Sequence, residues 1–319
     1  MALRIRAFVP RDYPAAVALT NRAYPEYPET VAEWRHQDAH RDPKLRFHRF
    51  VAQLDGRLVG VASVGHDEHM YHPRKLALDI TVDPARRGQG LGGALYDRLL
   101  AEVDGLQPLR LWASVREDHG EGLRFVEKRG FVEIMREWEN HLRPADFEPE
   151  RWAGRIEAVE ASGIRLLTYG QLAAEDPDFF PKLFDLATAI SRDVPSPDAT
   201  SDPDYALWLA KLQANPNRID AGYFIAVDGE RYVGLSTLSR SQSADFLYTG
   251  LTGVRRDYRR RGIALALKLQ AIAYCRAQDV PLVKTWNAST NRDMLRINAA
   301  LGFRRQPAWI SFGLDLREA

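Results

Sequence analysis

Val82–Val103 reads VDPARRGQGLGGALYDRLLAEV, and Val254–Cys275 reads VRRDYRRRGIALALKLQAIAYC. Each stretch opens where an apolar run ends, passes through arginines to a glycine, and enters an amphipathic helical pattern. Gly90 and Gly262 stand at the same place, 172 residues apart. At that offset Arg87 meets Arg259, Ala94-Leu95 meets Ala266-Leu267, Leu123-Arg124 meets Leu295-Arg296, and Gly130-Phe131 meets Gly302-Phe303. A period of half the 319-residue chain is a duplication, since solenoid repeats recur every 20–50 residues or so.

Both halves read alike on either side of the loop. A β-branched stretch opens each (LRIRAF, GIRLLTY), and helical segments follow (YPAAVALTNRAY, FFPKLFDLATAIS). A hairpin comes next, with Asp55-Gly56 and Asp228-Gly229 as its turn signals. The strands LALDITV and LYTGLTGV then lead into the repeated loop, and LRLWASV and LVKTWN follow its helix. A last strand closes each half, EIMREWENHL and PAWISFGLDL. The fold class is α/β, as two tandem domains each built on a mixed sheet with helices. The boundaries fall at 1–143 and 164–319, with a Pro-containing linker at 144–163 that holds a helix at ERWAGRIEAVEA.

Composition narrows the function. A net charge of +1 gives no global field to draw nucleic acid or an anionic membrane, so neither is expected as a partner. The run RRDYRRRG is one short basic cluster in a near-neutral chain. No apolar run approaches the ~20 residues that span a bilayer, and no signal-peptide pattern opens the chain. The single cysteine, Cys275, lies in a helical pattern and reads as a small buried hydrophobe, which suits a reducing, cytoplasmic compartment. Three of the eight histidines crowd GHDEHMYHP (65–73), but their spacing matches no helix-borne metal pattern, and no metal is expected.

A glycine loop between a strand and a helix offers unpaired N–H groups, the positive end of the helix dipole and close backbone approach, all suited to a phosphate. A P-loop needs Gly-Lys-Ser/Thr, which neither copy has. Gly88, Gly90 and Gly93 fit a dinucleotide fingerprint, but the second copy has Arg260, Gly262 and Leu265 there. What the copies share is Arg-x-x-Gly-x-(Gly/Ala): Arg87, Gly90, Gly92 and Arg259, Gly262, Ala264.

That pattern on this strand order resembles the acyl-CoA loop of the GNAT superfamily of N-acetyltransferases. NRDMLRINAALGF (291–303) resembles the family's following helix, and EGLRFVEKRGF (121–131) is a weaker version. The likeness covers nearly the whole chain, as two GNAT-like domains in tandem, each with a mostly antiparallel sheet. It implies acetyl-CoA as co-substrate, its pyrophosphate held by the backbone of Arg87, Gly88, Gln89, Gly90, Leu91 and Gly92. The second set is Arg259, Arg260, Arg261, Gly262, Ile263 and Ala264. Val82 and Val254 would pair with the pantetheine arm where their strand splays from the next, and Asn287 and Asn291 are available to bond pantetheine or acceptor. An acceptor amine, of a small molecule or a protein, would attack the thioester directly. The family's proton-donating tyrosine, four residues before the Gly of Leu-Gly-Phe, is replaced by Val126 and Asn298. Neither is an acid, although the Asn298 amide can bond to sulfur. Asp79 on LALDITV and Asp193 in SRDVPSP are the candidate bases. Tyr24, Tyr27, Glu33 and Trp34 fall in the segment that lines the acceptor site in the family. These departures keep a second reading open, a non-catalytic acyl-CoA-binding or scaffolding protein, and they leave open a transferase in which one domain alone is active.

Overall fold

The structure is a computed structural model and describes residues 2–316. In chain order the first half comprises β1 (Leu3–Ala7), α1 (Tyr13–Ala23), α2 (Val31–Ala39), β2 (Phe47–Leu54), β3 (Arg57–Gly65), β4 (Lys75–Val82), α3 (Leu91–Val103), β5 (Arg110–Arg116), α4 (Gly120–Glu127) and β6 (Val132–Leu142). The second half runs α5 (Arg155–Glu160), β7 (Ile164–Thr168), α6 (Tyr169–Glu175), α7 (Phe179–Ser191), α8 (Tyr205–Ala214), β8 (Arg218–Asp228), β9 (Arg231–Arg240) and β10 (Leu247–Val254). It continues with α9 (Ile263–Ala277), β11 (Val283–Ala288), α10 (Arg292–Ala300), β12 (Arg304–Arg305) and β13 (Trp309–Asp315).

Two compact units form, and they are not a single cut along the chain. Among the described residues the first holds 2–136, 197–201 and 309–316, and the second holds 137–196 and 202–308. The last strands are therefore exchanged. In the first unit β13 pairs antiparallel with β5, from Trp309 opposite Arg116 to Asp315 opposite Arg110. In the second the later part of β6 pairs with β11, from Glu137 opposite Ala288 to Leu142 opposite Val283. This corrects the expectation that each half keeps its own last strand. The physical reason is that the two ladders share one register at the 172-residue offset, so local pattern does not say which edge a last strand takes. The expected linker is likewise packed: Phe147 and Val159 are buried with Ile263 and Leu267 in the second unit's core.

In the first unit the order is β1-β2-β3-β4-β5-β13, antiparallel except for β4 and β5. Asp55 and Gly56 both have positive φ (49° and 82°), the mark of a tight hairpin turn matched to strand twist. Helix α3 places Leu91, Leu95, Leu99 and Val103 on one stripe, against Val64, Leu76 and Leu111 of the sheet. Burying each such side chain contributes about 1.5–3 kcal/mol. The second unit repeats the plan with β11-β10-β9-β8-β7, and α9 takes the place of α3. No helix among the described residues is long and apolar enough to cross a membrane.

Candidate active site

In the first unit the parallel ladder of β4 and β5 runs only from Lys75 opposite Arg110 to Leu78 opposite Ala113. Beyond it the two strands part, and Asp79–Val82 border the gap. Burial alternates along β4: Leu76 and Leu78 enter the α3 core, so Asp79 and Thr81 face the other side of the sheet. In the second unit β10 and β11 pair only at Leu247–Val283 and Tyr248–Lys284 before parting.

After each splayed strand the chain makes the same turn. Gly88 and Gly90 sit at φ 73° and 80°, and Arg260 and Gly262 at 65° and 81°. These are left-handed positions where a side chain is strained, so glycine is the natural occupant at three of the four. Gly90 and Gly262 are the N-caps of α3 and α9. Each turn therefore presents the first, unbonded N–H groups of a long helix. Gly92 has a separate reason: a Cβ there would stand 3.1 Å from the Phe125 ring of α4.

A cleft of about 690 Å³ joins these features in the first unit. Its lining runs from Arg87, Gly88, Gly90, Leu91 and Gly92 of the loop, past Val82, to Asp79 in the strand gap. Leu91 is buried, so it offers its N–H alone; Gln89 is exposed on the loop. Arg86, Arg87, Arg124, Lys128 and Arg129 supply five cations against the carboxylates of Asp79, Asp118 and Glu121. Arg87 faces Glu121 at 3.7 Å, and Arg129 lies on the Phe125 ring at 3.6 Å. The excess positive charge suits a phosphate-bearing ligand.

Asp79 keeps solvent access at the cleft, yet the protein walls around it displace enough water to push its carboxyl above the usual carboxylate range, opposed by the Thr81 hydroxyl. A carboxylate so raised is a better base at neutral pH. Tyr24 lines the same cleft; burial pushes its phenol up to about 12, with the nearby Asp79 charge adding to the shift. Its ring stacks on His119 at 5.0 Å, and burial holds that imidazole below its ordinary range. Trp34 Nε1 donates to Glu29 at 2.8 Å, and Glu33 closes the capping box of α2 with Thr30, so both serve local structure. Tyr27 receives a bond from Trp309 Nε1 at 3.2 Å. The sequence reading passes over Arg86, His119, Arg124, Lys128 and Arg129. His119 was findable, because it stands 172 residues before Asn291 and both precede their helix directly.

The second loop is engaged with its own unit. Asp193 accepts from Arg256 (2.8 Å) and from Arg259, and these arginines, Arg256 first, hold its carboxyl below the usual range. Arg259 also donates to Val254 O at 3.2 Å, the strand end expected to meet pantetheine. Arg260 pairs with Asp293 at 3.2 Å, and Arg261 donates to Asp257 O at 3.3 Å. Ile263 and Ala264 pack on the core, and a Cβ on Gly262 would stand 3.5 Å from Val159, where Gly90 meets nothing within 4 Å. Asn298, fully buried, donates to Asn287 Oδ1 at 2.6 Å, and Asn291 caps α10 through Met294 N–H. Val126 is buried in the first unit's core. Among the described residues no group of three His, Cys, Asp or Glu is placed to hold a metal; His66 instead bonds Arg46 N–H and Pro73 O.

The sequence model of the acetyltransferase (GNAT) family matches residues 13–131 and 183–303. A mycothiol acetyltransferase of Streptomyces scabiei is 24% identical over 276 residues, covering 86% of this chain and 82% of that protein. Among solved structures, a tandem GNAT protein from the clavulanic acid biosynthesis pathway superposes over all of both chains with a TM-score of 0.78 at 19% identity. A GCN5-related N-acetyltransferase from Sphaerobacter thermophilus does so over 99% of this chain and 96% of that one, with a TM-score of 0.69 at 21% identity. Two matched regions, each carrying the splayed strands and the left-handed loop, make the conclusion direct: the chain belongs to the GNAT family of acetyltransferases, with two such domains in tandem.

Proposed function

We propose that the first unit transfers an acetyl group from acetyl-CoA to the amine of a small molecule or a protein, in the cytoplasm. The observation that carries this reading is the cleft itself, continuous from the Gly88–Gly92 loop to Asp79. The pyrophosphate lies on the loop amides and the N-terminus of α3, with Arg86, Arg87, Arg124, Lys128 and Arg129 beside its phosphates. The pantetheine arm follows Val82 into the gap between β4 and β5. A backbone N–H freed by the parting strands polarises the thioester carbonyl; one such donor is worth about 10²–10³ in rate. Asp79 takes a proton from the acceptor ammonium, a contribution of about 10²–10⁴. The amine then attacks the carbonyl directly. No acyl-enzyme is needed, and Cys275 takes no part: burial pushes its thiol up to about 12.

The second unit serves as a partner domain in this reading. Asp193 there is bound by two arginines and is a poor base, and Val254 O is occupied by Arg259. The test is calorimetric titration of the whole chain with acetyl-CoA, followed by an amine panel read by thiol release. One tight site, lost with Gly90→Glu, and amine-dependent release slowed about 10²–10⁴-fold by Asp79→Asn support the reading. Binding without release by any amine favours the alternative, an acyl-CoA-binding protein. No binding at millimolar acetyl-CoA removes both.

A further inference from the structure

The first cleft has a base but lacks the proton donor that a departing thiolate calls for, since position 126 is a valine buried in the core. Two tyrosines line the cleft, Tyr24 and Tyr96. They lie on opposite faces of the sheet. Tyr96 belongs to α3 and packs among Phe125, Phe131 and the Arg129 guanidinium, in the core that buries Leu76 and Leu78. Asp79 alternates away from that core, and Tyr24, at the end of α1, is a neighbour of its charge.

Tyr24 is also held firmly. Its N–H closes α1 on Thr20 O at 2.9 Å. Its ring is stacked 5.0 Å from His119 at 29° and stands 5.9 Å from Trp309 at 33°. Trp309 comes from β13, the exchanged last strand that belongs to the first unit. A phenol fixed by two rings, in the cleft where the strands part, is pre-positioned for one task.

We propose that Tyr24 donates the proton to the departing thiolate in the first unit, doing from α1 what the family's tyrosine does from the helix that is α4 here. This rests on the acetyltransferase reading above. As the tetrahedral adduct collapses, the C–S bond breaks and the Tyr24 hydroxyl proton passes to sulfur. The new C–N bond remains, and the phenolate recovers a proton from the amide nitrogen as that nitrogen loses its positive charge. The proton first taken by Asp79 is released to solvent, so one proton is freed per turnover. The phenol is protonated at neutral pH, as a donor must be. His119 is held neutral by burial and leaves this task to the phenol.

The experiment uses the full chain with Tyr24→Phe and with a ring-fluorinated, more acidic tyrosine placed at position 24. Acetyl-CoA affinity is measured by calorimetry, and kcat with the amine found by the panel is followed against pH. Among the described residues the groups that face the phenol are the charged Asp79 and Arg87 and the titratable His119 ring. The expected result is a kcat loss of about 10²-fold or more in the Phe variant, with the acetyl-CoA Kd within threefold of wild type. The fluorinated variant regains turnover, and the alkaline limb of its kcat profile moves to lower pH. A merely structural ring would leave that limb in place. Phe-variant turnover equal to wild type, or an unmoved limb, overturns the proposal and leaves the acetyltransferase reading standing. A wild-type chain that turns over no amine overturns both.

Discussion

Gly90 offers a clean separation of backbone from charge. It caps α3 at φ 80°, and a Cβ built on it meets nothing within 4 Å. Gly90→Ala therefore carries only the left-handed backbone penalty, about 1–2 kcal/mol. That penalty falls on free and bound protein alike, so acetyl-CoA affinity moves less than about threefold. Gly90→Glu carries the same strain, offset in the free protein by about 0.3–1 kcal/mol because an anion is favoured at a helix N-terminus. Binding is another matter. Two unit charges 4 Å apart repel by about 4 kcal/mol at an effective dielectric of 20, which is about a thousandfold in Kd. The assay is calorimetric titration of wild type, Ala and Glu variants, with thermal unfolding as the control for folding. Near-equal melting for the two variants, near-wild-type affinity for Ala and a thousandfold loss for Glu are expected. A folded Glu variant that binds acetyl-CoA within tenfold of wild type would refute the placement of the pyrophosphate on this loop.

Asp79→Asn should lower kcat by about 10²–10⁴ and remove the acidic limb from the turnover that remains, because the proposed base must lose its proton through a raised pKa before it acts. The same substitution should raise the melting temperature at neutral pH: a carboxyl whose folded pKa is raised loses stability as pH climbs through that value, and Asn does not titrate. An Asn variant that melts lower than wild type at pH 7 would count against the raised pKa. Asp193→Asn breaks the contacts to Arg256 and Arg259. Its carboxyl is held low, so its stabilisation is present above the ordinary carboxylate pKa and lost as pH falls through the lowered one. The variant should melt slightly lower at pH 7, match wild type in strong acid, and gain a weak second acetyl-CoA site that Gly262→Glu removes; a titration still showing one site assigns the closure to Val159 instead. Cys275 should resist alkylation in the native chain and react only after unfolding, as mass spectrometry would show; rapid native labelling contradicts its burial. Phe312→Ala, near the end of the sequence, should cost about 3–5 kcal/mol and weaken binding at the first loop, because Phe312 is buried with Leu95 and Val115. A loss confined to the second unit would contradict the strand exchange.

Much of this was legible because the decisive features are local. Gly90 and Gly262 announce a left-handed cap, Asp55-Gly56 a hairpin, and the Leu91–Val103 stripe a helix, each within a few residues. The alternation of Leu76, Leu78 and Ile80 places Asp79 on the opposite face of β4 without any tertiary knowledge. What escaped is long-range. The choice between β6 and β13 as neighbour of β5 leaves no trace in either strand, as both fit the same ladder. Asp193 looks like a free acid in SRDVPSP because its partners lie 63 and 66 residues ahead. The segment at 144–163 reads as a linker, yet Val159 comes to rest beside Gly262, a contact its polar neighbours Glu157 and Glu160 do not suggest.

The two loops show how far one backbone can be kept while its chemistry changes. Arg260 adopts the left-handed φ that Gly88 adopts freely, at about 1–2 kcal/mol of strain. Strain of that size persists only where surrounding contacts over-determine it, and here the contacts are the Arg260–Asp293 pair, the Arg259 bond to Val254 O and the Asp193 clasp. Those same contacts use the groups that a pyrophosphate and a pantetheine arm would need. A ligand must break them before it binds, at about 0.5–1.5 kcal/mol for a hydrogen bond and up to about 1 kcal/mol for each exposed ion pair. Three such contacts amount to about a hundredfold in affinity. In the first loop Gly88 and Gly90 take the left-handed turn without side-chain strain, the side-chain clasp falls on Asp83 ahead of the glycines, and the ion pair that Arg87 makes among the described residues is a 3.7 Å one with Glu121. The glycine-rich copy therefore remains ready for ligand, whereas in the arginine-rich copy the contacts that sustain the turn compete with it.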